Sequence, residues 1–141
     1  MTITVGPSVS FGTYTIHVTG TGGGLTEIVT VYLSVAKPAA NYTISASPTS
    51  ITVKRGSSGM STITTTVTGG FDSFISLSAT GYPIGTAVTF SPAKIPAPGA
   101  GTSIMKVTVG KNVPLGNHTI TINADGAGVP RSTQVILDVT N

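Results

Sequence analysis

Apolar residues recur at every second position along most of this chain. Ser50-Ile-Thr-Val53, Ser61-Thr-Ile-Thr-Thr-Thr-Val67, Phe74-Ile-Ser-Leu-Ser-Ala79 and Ala87-Val-Thr-Phe90 set β-branched or apolar side chains against hydroxyls. A period of two puts each set on its own face of an extended strand, so it predicts half-buried β-strands. The same pattern predicts strands at Ile104–Val109, His118–Asn123 and Thr133–Val139, and at Thr2–Val5, Tyr14–Thr19 and Glu27–Val35. No segment carries the 3.6-residue period of an amphipathic helix. Gly56, Gly69-Gly70, Gly81, Gly99-Ala-Gly101, Gly116 and Gly126-Ala-Gly128 punctuate the strands with turn chemistry. Short strands with frequent turns predict an all-β, antiparallel β-sandwich. Its expected core is Ile51, Val53, Ile63, Val67, Ile75, Leu77, Val88, Phe90, Met105, Val107, Val109, Ile120, Ile122, Val135, Leu137 and Val139. The longest irregular stretch, Ser91–Gly101, is expected to carry the chain from one sheet to the other.

A second pattern lies over the first. Residues 1–37 return without a gap as residues 105–141, with thirteen of thirty-seven positions identical. The matches include Val9/Val113, Gly12/Gly116, Thr15-Ile16/Thr119-Ile120, Gly22/Gly126, Gly24/Gly128 and the ending Val31-x-Leu33-x-Val35/Val135-x-Leu137-x-Val139. A bias toward Thr, Val and Gly raises chance identity but does not hold one offset across three elements. A fixed internal period marks a repeat architecture. Residues 1–37 therefore read as the closing strands of a partial repeat and 38–141 as one complete repeat. Ala36-Lys-Pro-Ala-Ala40 forms the junction, where Pro38 cannot donate a ladder hydrogen bond.

Within the complete repeat, Tyr42-Thr-Ile-Ser-Ala-Ser-Pro48 followed by Ile51-Thr-Val-Lys-Arg-Gly56 resembles the opening of immunoglobulin-like repeats of bacterial and archaeal surface and secreted proteins. Gly69-Gly-Phe71, Ile75-Ser-Leu-Ser-Ala79, Gly81-Tyr-Pro83 and Val88-Thr-Phe-Ser-Pro92 follow in the same order, and Gly12-Thr-Tyr-Thr-Ile16 resembles the penultimate strand. The resemblance implies an extracellular module acting as a stalk, spacer or adhesive repeat. In such repeats a tyrosine-corner hydroxyl braces one connection. Tyr14 stands at that place, and His118 stands there in the complete copy.

Composition narrows the chemistry. Charged residues are 8% of the chain, against about 25% in ordinary globular proteins. Four acids, two histidines and no cysteine leave little to converge on a catalytic centre, a cofactor or a metal, and none of these is expected. His17 and His118 do not occupy equivalent positions in the two copies. Gly20-Thr-Gly-Gly-Gly24 joins two strands and reads as a hairpin turn, because a phosphate cradle needs a following helix. The net charge of +3 comes from scattered cations, unlike the clustered stripe of nucleic-acid binders. No run approaches the ~20 apolar residues of a transmembrane helix, and any export signal is expected outside these residues. Asn41-Tyr-Thr43 and Asn117-His-Thr119 are candidate N-glycosylation sequons. Tyr32, Tyr42 and Tyr82 are candidate exposed rings for stacking on a surface glycan.

Three strands alone cannot bury their faces. Residues 1–37 must dock on something, and Ile3, Val5, Tyr14, Ile16, Val18, Leu33 and Val35 form a candidate strand-exchange segment. Three readings follow. The first is a non-enzymatic module of a prokaryotic cell surface, partnered by neighbouring repeats. The second is a filament subunit joined to copies of itself by strand exchange, and the third a carbohydrate-binding accessory module of a secreted enzyme. With only Glu27, Asp72, Asp125 and Asp138 to titrate, few carboxylates couple folding to pH. Stability is therefore expected to stay nearly flat into acidic pH. Cooperative unfolding near pH 4 in an acid titration followed by circular dichroism would contradict this.

Overall fold

The computed structural model describes all 141 residues and contains strands but no helix. The chain divides into two compact units, Met1–Pro38 and Ala39–Asn141.

The first unit is an antiparallel ribbon of β1 (Gly12–Gly22) and β2 (Leu25–Val35). Gly23 and Gly24 form its two-residue turn with φ of 59° and 79°. Two successive positive φ values match the right-handed twist of a tight hairpin, and glycine adopts them without a Cβ clash. The strand expected at Thr2–Val5 does not form, and Met1–Phe11 lie outside any sheet. The physical reason appears in the matching copy. There, β9 (Gly101–Val109) runs between β5 (Ser58–Thr68) and β7 (Thr86–Ser91), bonded to both. Alternation prepares a segment for a sheet, but neighbouring strands must supply the hydrogen-bond partners.

The second unit is a β-sandwich. Its remaining strands are β3 (Asn41–Ser47), β4 (Ser50–Lys54), β6 (Ile75–Thr80), β8 (Lys94–Ile95), β10 (Gly116–Gly126) and β11 (Val129–Thr140). One sheet has the order β3-β5-β9-β7 and the other β4-β11-β10-β6-β8. All pairs are antiparallel except β4 with β11. The strand order is that of an immunoglobulin-like sandwich, with the opening strand divided between the two sheets.

Loops cross between the sheets at several points, and buried hydroxyls hold three of them. Ser61 Oγ donates to the Pro48 carbonyl at 2.8 Å, Thr65 Oγ1 to the Gly99 carbonyl at 2.6 Å and Ser103 Oγ to the Pro92 carbonyl at 2.6 Å. All three of these side chains are buried, and each satisfies a loop carbonyl. The irregular stretch after β7 does reach the opposite sheet. It pairs there at Lys94–Ile95, with Ser76 and Ile75 of β6, while the Ala93 carbonyl accepts from the Leu77 amide at 3.0 Å, and it then returns to the first sheet as β9.

The core comprises most of the expected residues, including Ile63, Ile75, Met105, Val107, Val109, Ile120, Ile122, Val135 and Leu137. Val67, Val88 and Phe90 are only partly buried. Val88 and Phe90 lie on β7, the edge strand of its sheet, where one flank lacks a covering neighbour. Tyr42, Phe71, Ile95 and Val113 join the core from outside the expected list. Deleting buried aliphatic volume costs transfer free energy plus a cavity term. Ile120→Ala should lower the unfolding free energy by about 2–5 kcal/mol. Ile84→Ala, at a side chain that is 98% exposed, should change it by no more than about 0.5 kcal/mol. Urea titrations of both variants test the contrast.

Candidate interaction surface

The ribbon of the first unit repeats the β10–β11 hairpin residue by residue. Gly12 pairs with Val35 as Gly116 pairs with Val139, and every later pair follows in step to Gly22–Leu25 and Gly126–Val129. The turn preceding each hairpin is shared as well. The Val9 amide donates to the Gly6 carbonyl at 3.3 Å, and the Val113 amide to the Gly110 carbonyl at 3.5 Å. The tyrosine-corner brace is also present in both copies. Tyr14 Oη donates to the Ser10 carbonyl at 2.7 Å, and His118 Nε2 lies 3.1 Å from the Pro114 carbonyl. The imidazole thus replaces the phenol with its own N–H, spanning the same four residues.

Register decides which side chains share a face. Tyr14 opposes Leu33, Ile16 opposes Val31, Val18 opposes Val29 and Gly12 opposes Val35, giving one continuous apolar face. The candidate residues Tyr14, Ile16, Val18, Leu33 and Val35 are brought together there, and Val29 and Val31, outside the candidate set, complete the face. Ile3 and Val5 remain on the unpaired, exposed N-terminal segment. Within the ribbon, Val18 and Val29 are exposed, and Ile16, Val31, Leu33 and Val35 are half-buried. Their counterparts Ile120, Val135, Leu137 and Val139 are all buried, none more than 2% exposed.

In the complete unit, the base of the hairpin is latched to β3. Tyr42 was expected to be exposed but is entirely buried, because its position on β3 points the ring between the two sheets. Its ring lies 5.1 Å from that of Phe71 in a tilted arrangement. Its hydroxyl reaches the carbonyls of Ala124 at 3.0 Å and Val129 at 2.6 Å, on both arms of the hairpin. Arg131 reinforces the latch from outside: Nε donates to the Tyr42 carbonyl at 3.3 Å and Nη2 to Asn41 Oδ1 at 2.7 Å. Tyr32 is well exposed and Tyr82 partly so.

The candidate sequon residues differ in setting. Asn41 Oδ1 also accepts from the Tyr42 amide at 2.8 Å, so its side-chain oxygen is engaged. Asn117 is exposed on β10, opposite Asp138. His17 Nδ1 lies 3.2 Å from Thr30 Oγ1 across the ribbon. Nowhere do three His, Asp or Glu side chains gather as a metal site would need.

No protein-family model matches the sequence, and no curated relative matches it. Among solved structures, the chain is similar to domains 4 and 5 of the S-layer protein SbsC. The TM-score is 0.55 at 18% identity, over 94% of this chain and 67% of that one. A longer SbsC structure, domains 4–9, gives a TM-score of 0.52 at 21% identity, over 94% of this chain but only 18% of that one. A family 123 glycoside hydrolase from Clostridium perfringens gives 0.52 at 8% identity, over 74% of this chain and 27% of that one. At these identities the likeness is one of fold. The SbsC coverage exceeds the share of the chain that Ala39–Asn141 makes up, so the likeness extends into the first unit.

Burial, followed by the nearby Asp125 carboxylate, raises the Tyr42 phenol above its ordinary value of 10.0; a backbone hydrogen bond at Gly126 and the Arg131 charge oppose the shift. The folded state therefore holds this proton more tightly than the unfolded chain does. The resulting stability is complete below about pH 10 and is lost as pH rises through the raised value. Tyr42→Phe removes the one donor that the two carbonyls share and should cost about 1–3 kcal/mol at neutral pH. The gap between the two proteins should narrow above about pH 10, in denaturant titrations run across that range.

Proposed function

We propose that this chain is a non-enzymatic structural module of an extracellular, prokaryotic cell-surface protein, serving as a stalk or spacer. The observation that carries this reading is where the sandwich is entered and left. Asn41, at the start of β3, is held by Arg131 near the beginning of β11. The exit, Thr140, pairs beside Lys54 at the far end of that strand. β11 has 12 residues, and at about 3.3 Å per residue it spans most of the sandwich's length. Entry and exit therefore lie at opposite ends, as a unit strung in line requires.

The load path follows from the same geometry. Tension between the two ends draws β4 and β11, a parallel pair, along each other, so their hydrogen bonds are strained together in shear rather than one at a time. The Arg55 amide adds a bond to the Thr140 carbonyl at 2.9 Å, and the Ile136 amide one to the Thr49 carbonyl at 2.8 Å. Arg55 Nε holds the Val113 carbonyl at 2.7 Å beside the exit.

The fold likeness to SbsC, an S-layer protein, supports placement at a cell surface. Composition agrees: hydroxyls rather than carboxylates provide the polarity, which suits a surface exposed to changing media. Asn117 offers an accessible sequon for a glycan. For the carbohydrate-binding reading, the Tyr42 ring is committed to the core, and Tyr32 and Tyr82 are the exposed candidate rings that remain.

Two measurements test the proposal. The chain has no cysteine, so attachment points are introduced freely. Pulled between residues 41 and 141, the sandwich should unfold at a higher force than when pulled between residues 116 and 141, which start side by side at the open end of the hairpin so that β11 peels from β10. Equal or reversed forces would remove the load-bearing argument. Antibodies to the chain should label intact cells of the producing organism; labelling only after permeabilisation would remove the surface placement.

A further inference from the structure

The stretch from Gly6 to Val35 has the conformation of a closing segment, and its own unit holds no body for it to close. Its glycines show this most directly. In the complete unit, a methyl group on Gly126 would lie 2.8 Å from Phe71 Cζ and 2.9 Å from Ile75 Cγ1, and one on Gly110 would lie 2.7 Å from the Gly85 carbonyl oxygen. Glycine at both places lets the body of the sandwich come close. Gly22 and Gly6 hold the matching positions in the first unit, and there the same space is empty to 4 Å. The ribbon's edges are vacant in the same way. β6 pairs with β10 along Thr121–Asp125, and β4 with β11 along Ile136–Thr140. The corresponding stretches, His17–Thr21 and Tyr32–Ala36, lie along the edges of a two-stranded sheet with no outer neighbour.

We propose that residues 1–35 close an acceptor sandwich of the kind built by residues 39–104. That partner has three defined features: an edge like β6, an edge like β4, and an apolar floor with an aromatic ring at the position of Phe71. Its floor would cover Ile16, Val18, Val31, Leu33 and Val35, as the resident one covers Ile120, Ile122, Val135, Leu137 and Val139. Its second sheet would take Met1–Val5 in the place of Met105–Val109, between strands like β5 and β7.

The acceptor is not the 39–104 body of a second copy. Residues 1–141 hold one such body and two closing segments, and the body is occupied by residues 105–141. Exchange of these segments between copies leaves one uncovered for each body filled, whichever of the two is used, so it gains no burial. The resident segment is also tethered to its body. Gly101–Ile104 pair with Thr65–Thr62 of β5 and run on into Met105 within one continuous strand. The resident segment therefore keeps its own body, and the first unit is left for one that lacks closing strands.

This inference deepens the structural-module reading by naming what the module joins, and its test depends on neither cell location nor mechanical strength. Residues 39–104 are placed directly ahead of Met1 in the full chain, so that Ile104 of the added copy runs into Met1 as it natively runs into Met105. Hydrogen exchange should then slow at the amides of Ile16, Val18 and Leu33 by about a hundredfold or more relative to the unextended chain, as for strands moved into a sandwich core. A disulfide trap gives a second readout. Thr52 Oγ1 lies 3.5 Å from Asp138 Oδ2 in the resident sandwich, and Ser34 is the counterpart of Asp138. T52C in the added copy should therefore oxidise onto S34C, and Leu33→Asp should abolish both signals while leaving the resident unit's exchange unchanged. Three outcomes would overturn the inference. The added body could stay unprotected while the resident unit remains folded. T52C of the added copy could instead be trapped by D138C in a chain carrying both S34C and D138C. The ribbons could pair between chains, giving dimers of the extended protein by light scattering with no disulfide between T52C and S34C.

Discussion

A two-stranded ribbon with one apolar face makes three demands at once: its face must be covered, and each of its two edges must find hydrogen-bond partners. In Ala39–Asn141 all three are met around β10 and β11. The face lies against the other sheet, β6 takes one edge and β4 takes the other. Most of the remaining architecture follows from meeting them together. The opening strand has to divide, because β3 belongs to the covering sheet while β4 is needed at the edge of the covered one. The chain crosses between these roles at Ser47–Thr49, where Ser61 holds the Pro48 carbonyl.

The latch at Tyr42 belongs to the same solution. Its ring fills space between the sheets, and its hydroxyl ties both arms of the hairpin to β3 through Ala124 and Val129. A phenol suits this position because its apolar body is buried while its tip supplies one donor to the carbonyls at the base of the hairpin. Closing the sandwich with a parallel β4–β11 pair also places Asn41 and Thr140 near opposite ends of β11.

Two nearly equivalent stretches, residues 1–37 and 105–141, show how much context adds. Where the determinants are local, they give the same structure: the turn closed by Gly6 or Gly110, the brace from Tyr14 or His118, the positive-φ hairpin turn and the pairing register all recur. Where the determinants are distant, the outcomes separate. Met105–Val109 lies in a sheet and is buried at alternate residues, while Met1–Val5 is exposed and unpaired. The difference lies in the neighbours, since Met, Val and Thr recur in both segments at the same spacing.

Strand identity, the apolar faces and the repeat were legible in the sequence because each depends on spacing along the chain. The period of two located nearly every long strand, and the repeat offset anticipated a hairpin register that the structure reproduces pair by pair. Most of the core could be read for the same reason. Other features required the folded unit. Tyr42 gives no sign in the sequence of facing inward, because a tyrosine beside a junction is as compatible with solvent as with a core; two carbonyls more than eighty residues away decide it. Phe71, Ile95 and Val113 lie in turns or a two-residue strand, where no period reports burial. The glycines at positions 22 and 126 look alike in sequence, yet one faces empty space and the other faces Phe71 and Ile75. Spacing along the chain sets which side chains share a face. What covers that face depends on residues far away in sequence, and only tertiary structure brings them together.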